Sequence, residues 1–167
     1  MAETAPDFET ILRRLQEKNV EFVLIGGLAA IYHGHSRVTF DIDICYARNK
    51  NNLKALASVL IDLGAKLRGV PVDLPFKPDA RTLKNGLNFT FLTDHGDLDV
   101  LGEVSGVGGY NECAADASID TVAGVSVRIL SLERLISAKK AAGRPKDLND
   151  LQALLTLKEI ADRTKRP

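Results

Sequence analysis

Asp41 and Asp43 stand two residues apart in the run RVTFDIDICYA (residues 37–47), whose start alternates polar and apolar side chains. A period of two is that of a β-strand, so the spacing predicts a strand with both carboxylates on one face. Arg37 and Thr39 fall on that polar face. Val38, Phe40, Ile42 and Ile44 fall on the other, toward a core. Two carboxylates so close repel and raise each other's pKa. A divalent cation removes the conflict, and hard oxygen ligands suit Mg²⁺.

Thirteen residues separate Asp41 from the apolar run VEFVLIGG (residues 20–27), which ends in Gly26 and Gly27. It reads as a short buried strand leading into a helix, LAAIYHG, that Gly34 stops. Glycines at such a corner let a phosphate approach the backbone, and a helix start offers free N–H donors. Two-metal phosphoryl transfer calls for about three carboxylates around ions ~3.5–4 Å apart. The run DLDVLGEV (residues 97–104) offers Asp97 and Asp99 on one face of a further strand. Asp97 sits at a turn edge beside Gly96, so Asp99 is the expected third acid and Asp97 its neighbour.

The remaining elements frame these motifs. Asp7 caps a first helix with Phe8, Ile11, Leu12 and Leu15 on one face, ended by Asn19. Residues 51–63 form an amphipathic helix closed by Gly64. Residues 69–81 hold three prolines and read as a loop. LNFTFLT (87–93) and DLDVLGEV form a hairpin around Asp94–Gly96. Residues 105–118 are Gly-rich and irregular, with GVGG (106–109) a flexible loop. VAGVSVRIL (122–130) is a turn and a strand. Ser131 starts a helix that Gly143 stops, and Pro145 and Asp147 open a last one over about 148–160, before a frayed polar tail. His33 and His35 cap carbonyls or face water, His95 lies exposed in a turn, and Tyr32 and Tyr110 are assigned to packing. No repeat or linker divides the 167 residues, so one α/β (α+β) domain over 1–167 is expected.

Composition adds exclusions. The 22 basic and 22 acidic residues cancel, so net charge points to neither nucleic acid nor membrane. Cys45 and Cys113 have no metal or disulfide spacing and read as reduced thiols. No apolar run approaches the ~20 residues of a membrane span, and the acidic N-terminus lacks a signal-peptide core, so a cytoplasmic protein with no membrane partner is expected.

The sequence GG, then RVTFDIDI, then LDV resembles the nucleotidyltransferase superfamily related to DNA polymerase β. The ending LSLERLISAKKAAGRPKDLNDLQAL resembles its small bacterial members near the AbiEii-type toxins. The resemblance covers about residues 20–157 and leaves 65–88 unmatched. It implies a mixed β-sheet flanked by helices, with C-terminal helices. It also implies Mg²⁺-dependent transfer of a nucleoside monophosphate from a nucleoside triphosphate such as ATP to a hydroxyl on RNA, protein or a small molecule. Gly26 and Gly27 match its phosphate-cradling pair, Asp41 and Asp43 its metal-binding acids, and Asp99 its third carboxylate. Lys139 fits a nucleotide-site lysine, and Lys146 and Asp147 match an R-x-K-D element. In the mechanism it implies, two Mg²⁺ ions sit among the three acids while Lys139 and Arg37 offset charge on the leaving pyrophosphate. AbiEii-type toxins are usually longer, with a helical second lobe, which leaves a partner protein or a homo-oligomer to supply the missing wall. Aminoglycoside nucleotidyltransferases share these motifs. A non-catalytic, antitoxin-like binding module of the same fold is the alternative of a different class.

Overall fold

The computed structural model describes residues 5–71 and 73–165. The first four residues, Val72 in the proline-rich loop, and the last two residues of the expected polar tail lie outside them. Asp7 caps α1 (Phe8–Glu17) by accepting from the Thr10 N–H, and Ile11, Leu12 and Leu15 are fully buried on its inner face. β1 (Phe22–Ile25) is buried at every position, as expected of a central strand. It turns directly into α2 (Gly26–Tyr32).

β1 pairs antiparallel with β2 (Asp41–Tyr46), and β2 pairs parallel with β5 (Gly96–Leu101). α3 (Lys50–Asp62), capped by Asn49 and followed by Gly64 at φ 66°, lies between them in sequence. It is followed by the two-residue β3 (Lys66–Leu67), the short α4 (Ala80–Asn85) and β4 (Asn88–Thr93). β4 and β5 form the expected hairpin, and β3 extends the sheet beyond β4. After α5 (Tyr110–Ala114), the hairpin β6 (Ser118–Val122) and β7 (Val125–Ile129) returns, with β7 parallel to β1. The seven-stranded mixed sheet thus runs β3-β4-β5-β2-β1-β7-β6. Two helices end the described chain. Ser131 caps α6 (Leu132–Ala142), and α7 (Pro145–Thr164) runs past the expected stop near 160 and packs on α6.

β2 begins four residues later than its alternation suggests. On one side its partner β1 runs out at Ile25, opposite Asp43, and on the other β5 pairs no further than Asp97, opposite Asp41. Residues 35–40 therefore have no neighbouring strand, and Val38 and Phe40 stand 74% and 68% exposed instead of entering the core. Ile42 and Ile44 are fully buried, and Cys45 and Cys113 are buried free thiols. The Gly-rich stretch also differs from expectation. It contains α5, and a Cβ on Gly106 would meet the Ser137 carbonyl oxygen of α6 at 2.6 Å, so this loop is packed rather than loose.

Candidate active site

The parallel register of β2 and β5 sets Asp41 opposite Asp97 and Asp43 opposite Asp99. Asp41, Asp43 and Asp99 each offer a carboxylate oxygen, and these oxygens lie within 4.8 Å of one another. Neither Asp41 nor Asp43 has an ion-pair partner among the described residues. Burial pushes the Asp43 carboxyl up to about 8, and the charges of Asp41 and Asp99 push it the same way. Burial raises Asp99 too, while Asp43 and Arg68 pull it back. An all-oxygen set that repels itself is a donor set for a hard divalent cation, so these residues fit Mg²⁺.

The diglycine corner abuts the acids. Gly26 holds φ at 66°, a left-handed conformation costly to any residue with a side chain, and a Cβ there would overlap the Asp43 carboxylate. A Cβ on Gly27 would stand 3.0 Å from Thr39 Oγ1. That hydroxyl donates to Asp41 Oδ1 at 3.0 Å and so orients the first acid. Corner and acids share the floor of a cleft of about 490 Å³. Leu130, Leu135, Ala138 and Val104 supply an apolar wall, and Arg37, Lys139, Arg144 and Lys146 a basic one.

The basic wall is organised by two aspartates of α7. Asp147, fully buried at N3 of the helix, closes a capping box with Arg144. It accepts from Arg144 Nε at 2.6 Å and from Lys139 Nζ at 3.2 Å. Those bonds, Arg144's above all, hold its carboxyl down to about 2. Lys139 Nζ also lies 3.1 Å from Asp150 Oδ2, which accepts from Arg37 Nη1 at 2.8 Å. His35 Nε2 is 2.9 Å from the other Asp150 oxygen. Burial raises Asp150, but bonds from His35 and Lys139 outweigh it and leave the carboxyl below its usual range. Three permanent cations thus meet two carboxylates, and with Lys146 two positive charges remain in excess on the cleft wall.

The residues assigned to the site in the sequence, Gly26, Gly27, Arg37, Thr39, Asp41, Asp43, Asp99, Lys139 and Lys146, all line this one cleft. Tyr32, Tyr110 and the three histidines do not. Tyr32 donates to Asp120 at 2.6 Å, and His33 Nε2 sits 2.8 Å from the Leu130 carbonyl oxygen. Half-buried His95 lies beside Asp7, less exposed than its turn position suggests. Two residues were missed. Asp150 carried a signal, since it lies three residues after Asp147 and so on the same helical face. Arg68, which pairs with Asp97 and Asp99, lies in the patternless segment and carried none.

A mixed sheet that gathers acids from two strands beside a strand-to-helix glycine corner defines a nucleotidyltransferase fold, and solved structures agree. The lincosamide antibiotic adenylyltransferase LnuA, lincomycin-bound, superposes with a TM-score of 0.60 at 15% identity over 92% of this chain and 99% of that one. ANT(2'')-Ia in complex with adenylyl-2''-tobramycin gives 0.57 at 19% identity, over 89% and 85%. A Thermotoga maritima protein, TM1012, described as a nucleotidyltransferase, gives 0.56 at 16%, over 89% of both chains. At these identities the likeness establishes the fold. No curated protein sequence matches the chain. A family model does, over residues 10–166, and the chain belongs to that family: the nucleotidyl transferase AbiEii toxins of type IV toxin–antitoxin systems. Among the described residues no helix is long and apolar enough to cross a membrane.

Proposed function

We propose that this protein transfers a nucleoside monophosphate from a nucleoside triphosphate to a hydroxyl acceptor, dependent on a divalent cation. The observation that carries the reading is the convergence of Asp41, Asp43 and Asp99 within 4.8 Å beside the Gly26–Gly27 corner. Mg²⁺, held there by the three carboxylates, would neutralise phosphate charge and lower the pKa of the acceptor hydroxyl; the resemblance implies two ions.

The chain's own residues do the rest by position. Gly26 and Gly27 leave room for phosphate oxygens against the backbone, and Thr39 fixes Asp41. Lys139, Arg37 and Lys146 present positive charge where pyrophosphate departs. Because Asp147 and Asp150 hold Lys139 from two sides, its charge is fixed before substrate arrives, and little reorganisation is needed. The apolar wall takes the base or sugar. A cleft of this volume falls within the ~300–1,000 Å³ of small-molecule sites, room for the triphosphate, so the acceptor need bring only its hydroxyl to the cleft. RNA, a protein or a small molecule can meet that requirement, with a partner protein or second copy completing the wall.

Incubation with each labelled triphosphate and Mg²⁺, with total RNA, protein extract or aminoglycoside and lincosamide antibiotics as acceptor, tests the reading. We expect label on one acceptor class and loss of transfer in Asp43→Asn. Absence of triphosphate binding by calorimetry, with Asp41→Ala unchanged, would leave a binding module instead.

A further inference from the structure

Four aspartates share the polar face of β2 and β5, yet three of them converge. The fourth, Asp97, is two residues from Asp99 on the same strand and carries the same charge. The two share side-chain chemistry, and in sequence only the turn at Gly96 beside Asp97 tells them apart.

Arg68 separates them. β3 pairs antiparallel with β4, and just past it the Arg68 N–H donates to the Thr90 carbonyl at 3.0 Å. Thr90 is in register with Asp99, so the side chain reaches across β4 onto β5. There its guanidinium forks. Nη2 donates to Asp99 Oδ1, and Nη1 lies 3.4 Å from Asp97 Oδ2. Among the described residues it makes the only ion pairs to any of the four acids. Its Nε is buried without a hydrogen-bond partner among the described residues, so its polar contacts on this side are the two carboxylates of the fork.

We propose that Arg68 is a positioning residue for the third carboxylate: by forking between Asp97 and Asp99 it draws Asp97 aside and orients Asp99 toward Asp43. This rests on the metal-site reading above. The fork needs two planar N–H groups at a fixed angle, which lysine lacks. Groups that orient a ligating carboxylate in this way typically change metal affinity about 10–100-fold when removed.

Mn²⁺ alone is the probe, titrated by electron paramagnetic resonance into wild type, Arg68→Gln and Arg68→Lys, with melting in chelator as the folding check. We expect Mn²⁺ to bind Arg68→Gln about 10–100-fold more weakly and Arg68→Lys at an intermediate level. In transfer assays the half-saturating metal concentration should rise while the rate at saturating metal returns toward wild type. A purely structural arginine would not produce that split. Should Arg68→Gln not fold, Arg68→Lys decides, since it keeps the charge and loses the fork. Equal or tighter Mn²⁺ binding by the variants, with wild type binding, overturns this role and makes Arg68 a competitor for the site. Absence of Mn²⁺ binding by wild type overturns the metal-site reading and this role together.

Discussion

Removing the charge of Asp43 should make the metal-free protein more stable while destroying its response to metal. The carboxyl stands at about 8 against an ordinary 3.8, through burial first and then the charges of Asp41 and Asp99. Between those two values the native chain retains a proton that the unfolded chain has released. Native stability therefore falls as pH rises through that window, by at most ~1.4 kcal/mol per pH unit. The full window gives a ceiling of about 6 kcal/mol, and because neighbouring acids share the proton we take about half, ~3 kcal/mol. Asp43→Asn keeps the shape and removes the charge. For a chain of this length, ~3 kcal/mol corresponds to about 6–12 °C in melting temperature. In chelator, the variant should melt that much above wild type at pH 8, with the gap closing toward pH 4. Adding Mg²⁺ should raise wild type alone and close the gap from the other side. Calorimetric melts at pH 4, 6 and 8, with and without Mg²⁺, read all of this. A wild type as stable as the variant at pH 8 in chelator, or an equal Mg²⁺ response in both, refutes the reasoning.

Other perturbations follow from the same geometry. Gly26→Ala forces a side chain into a left-handed backbone, about 1–2 kcal/mol, and into the Asp43 carboxylate; both the melting temperature and Mn²⁺ affinity should drop, and unchanged Mn²⁺ binding would contradict the close approach. Asp147, held down to about 2, supports the fold above about pH 4 and loses that support as pH falls toward 2; allowing for exposed Arg144, this is about 1–2 kcal/mol, and acid denaturation of Asp147→Asn should lack that component. Phe40→Ser and Val38→Ser should change stability by less than about 0.5 kcal/mol, because neither side chain is in the core, whereas Ile42→Ala should cost about 2–5 kcal/mol; urea melts separate the two.

Much of the site was legible because it is local. A period of two placed Asp41 and Asp43 on one face, and the same rule with a turn at Gly96 selected Asp99 over Asp97. The apolar run ending in Gly26 and Gly27 located the corner. Alternation misled at Val38 and Phe40, because a strand needs a neighbour as well as a pattern, and β1 ends opposite Asp43 while the β5 pairing ends at Asp41. β6, whose residues are mostly exposed, offered no apolar face to read. β3 and α4 are too short to show a period. Arg68 reaches Asp99 across an intervening strand, and Asp150 gathers Arg37 and His35 from more than a hundred residues away in sequence, so neither link has a local signature.

The β2–β5 ladder has a bearing on how this site can change. Inserting one residue between Gly96 and Asp97 would slide Leu98 opposite Asp43 and face it with aliphatic carbon, while inserting two would restore the facing and exchange Asp99 for Asp97. Loop growth at the tip of the β4–β5 hairpin leaves the ladder untouched. Descendants of this chain are therefore free to lengthen that tip, but alignment gaps inside β5 should come in pairs or be absent.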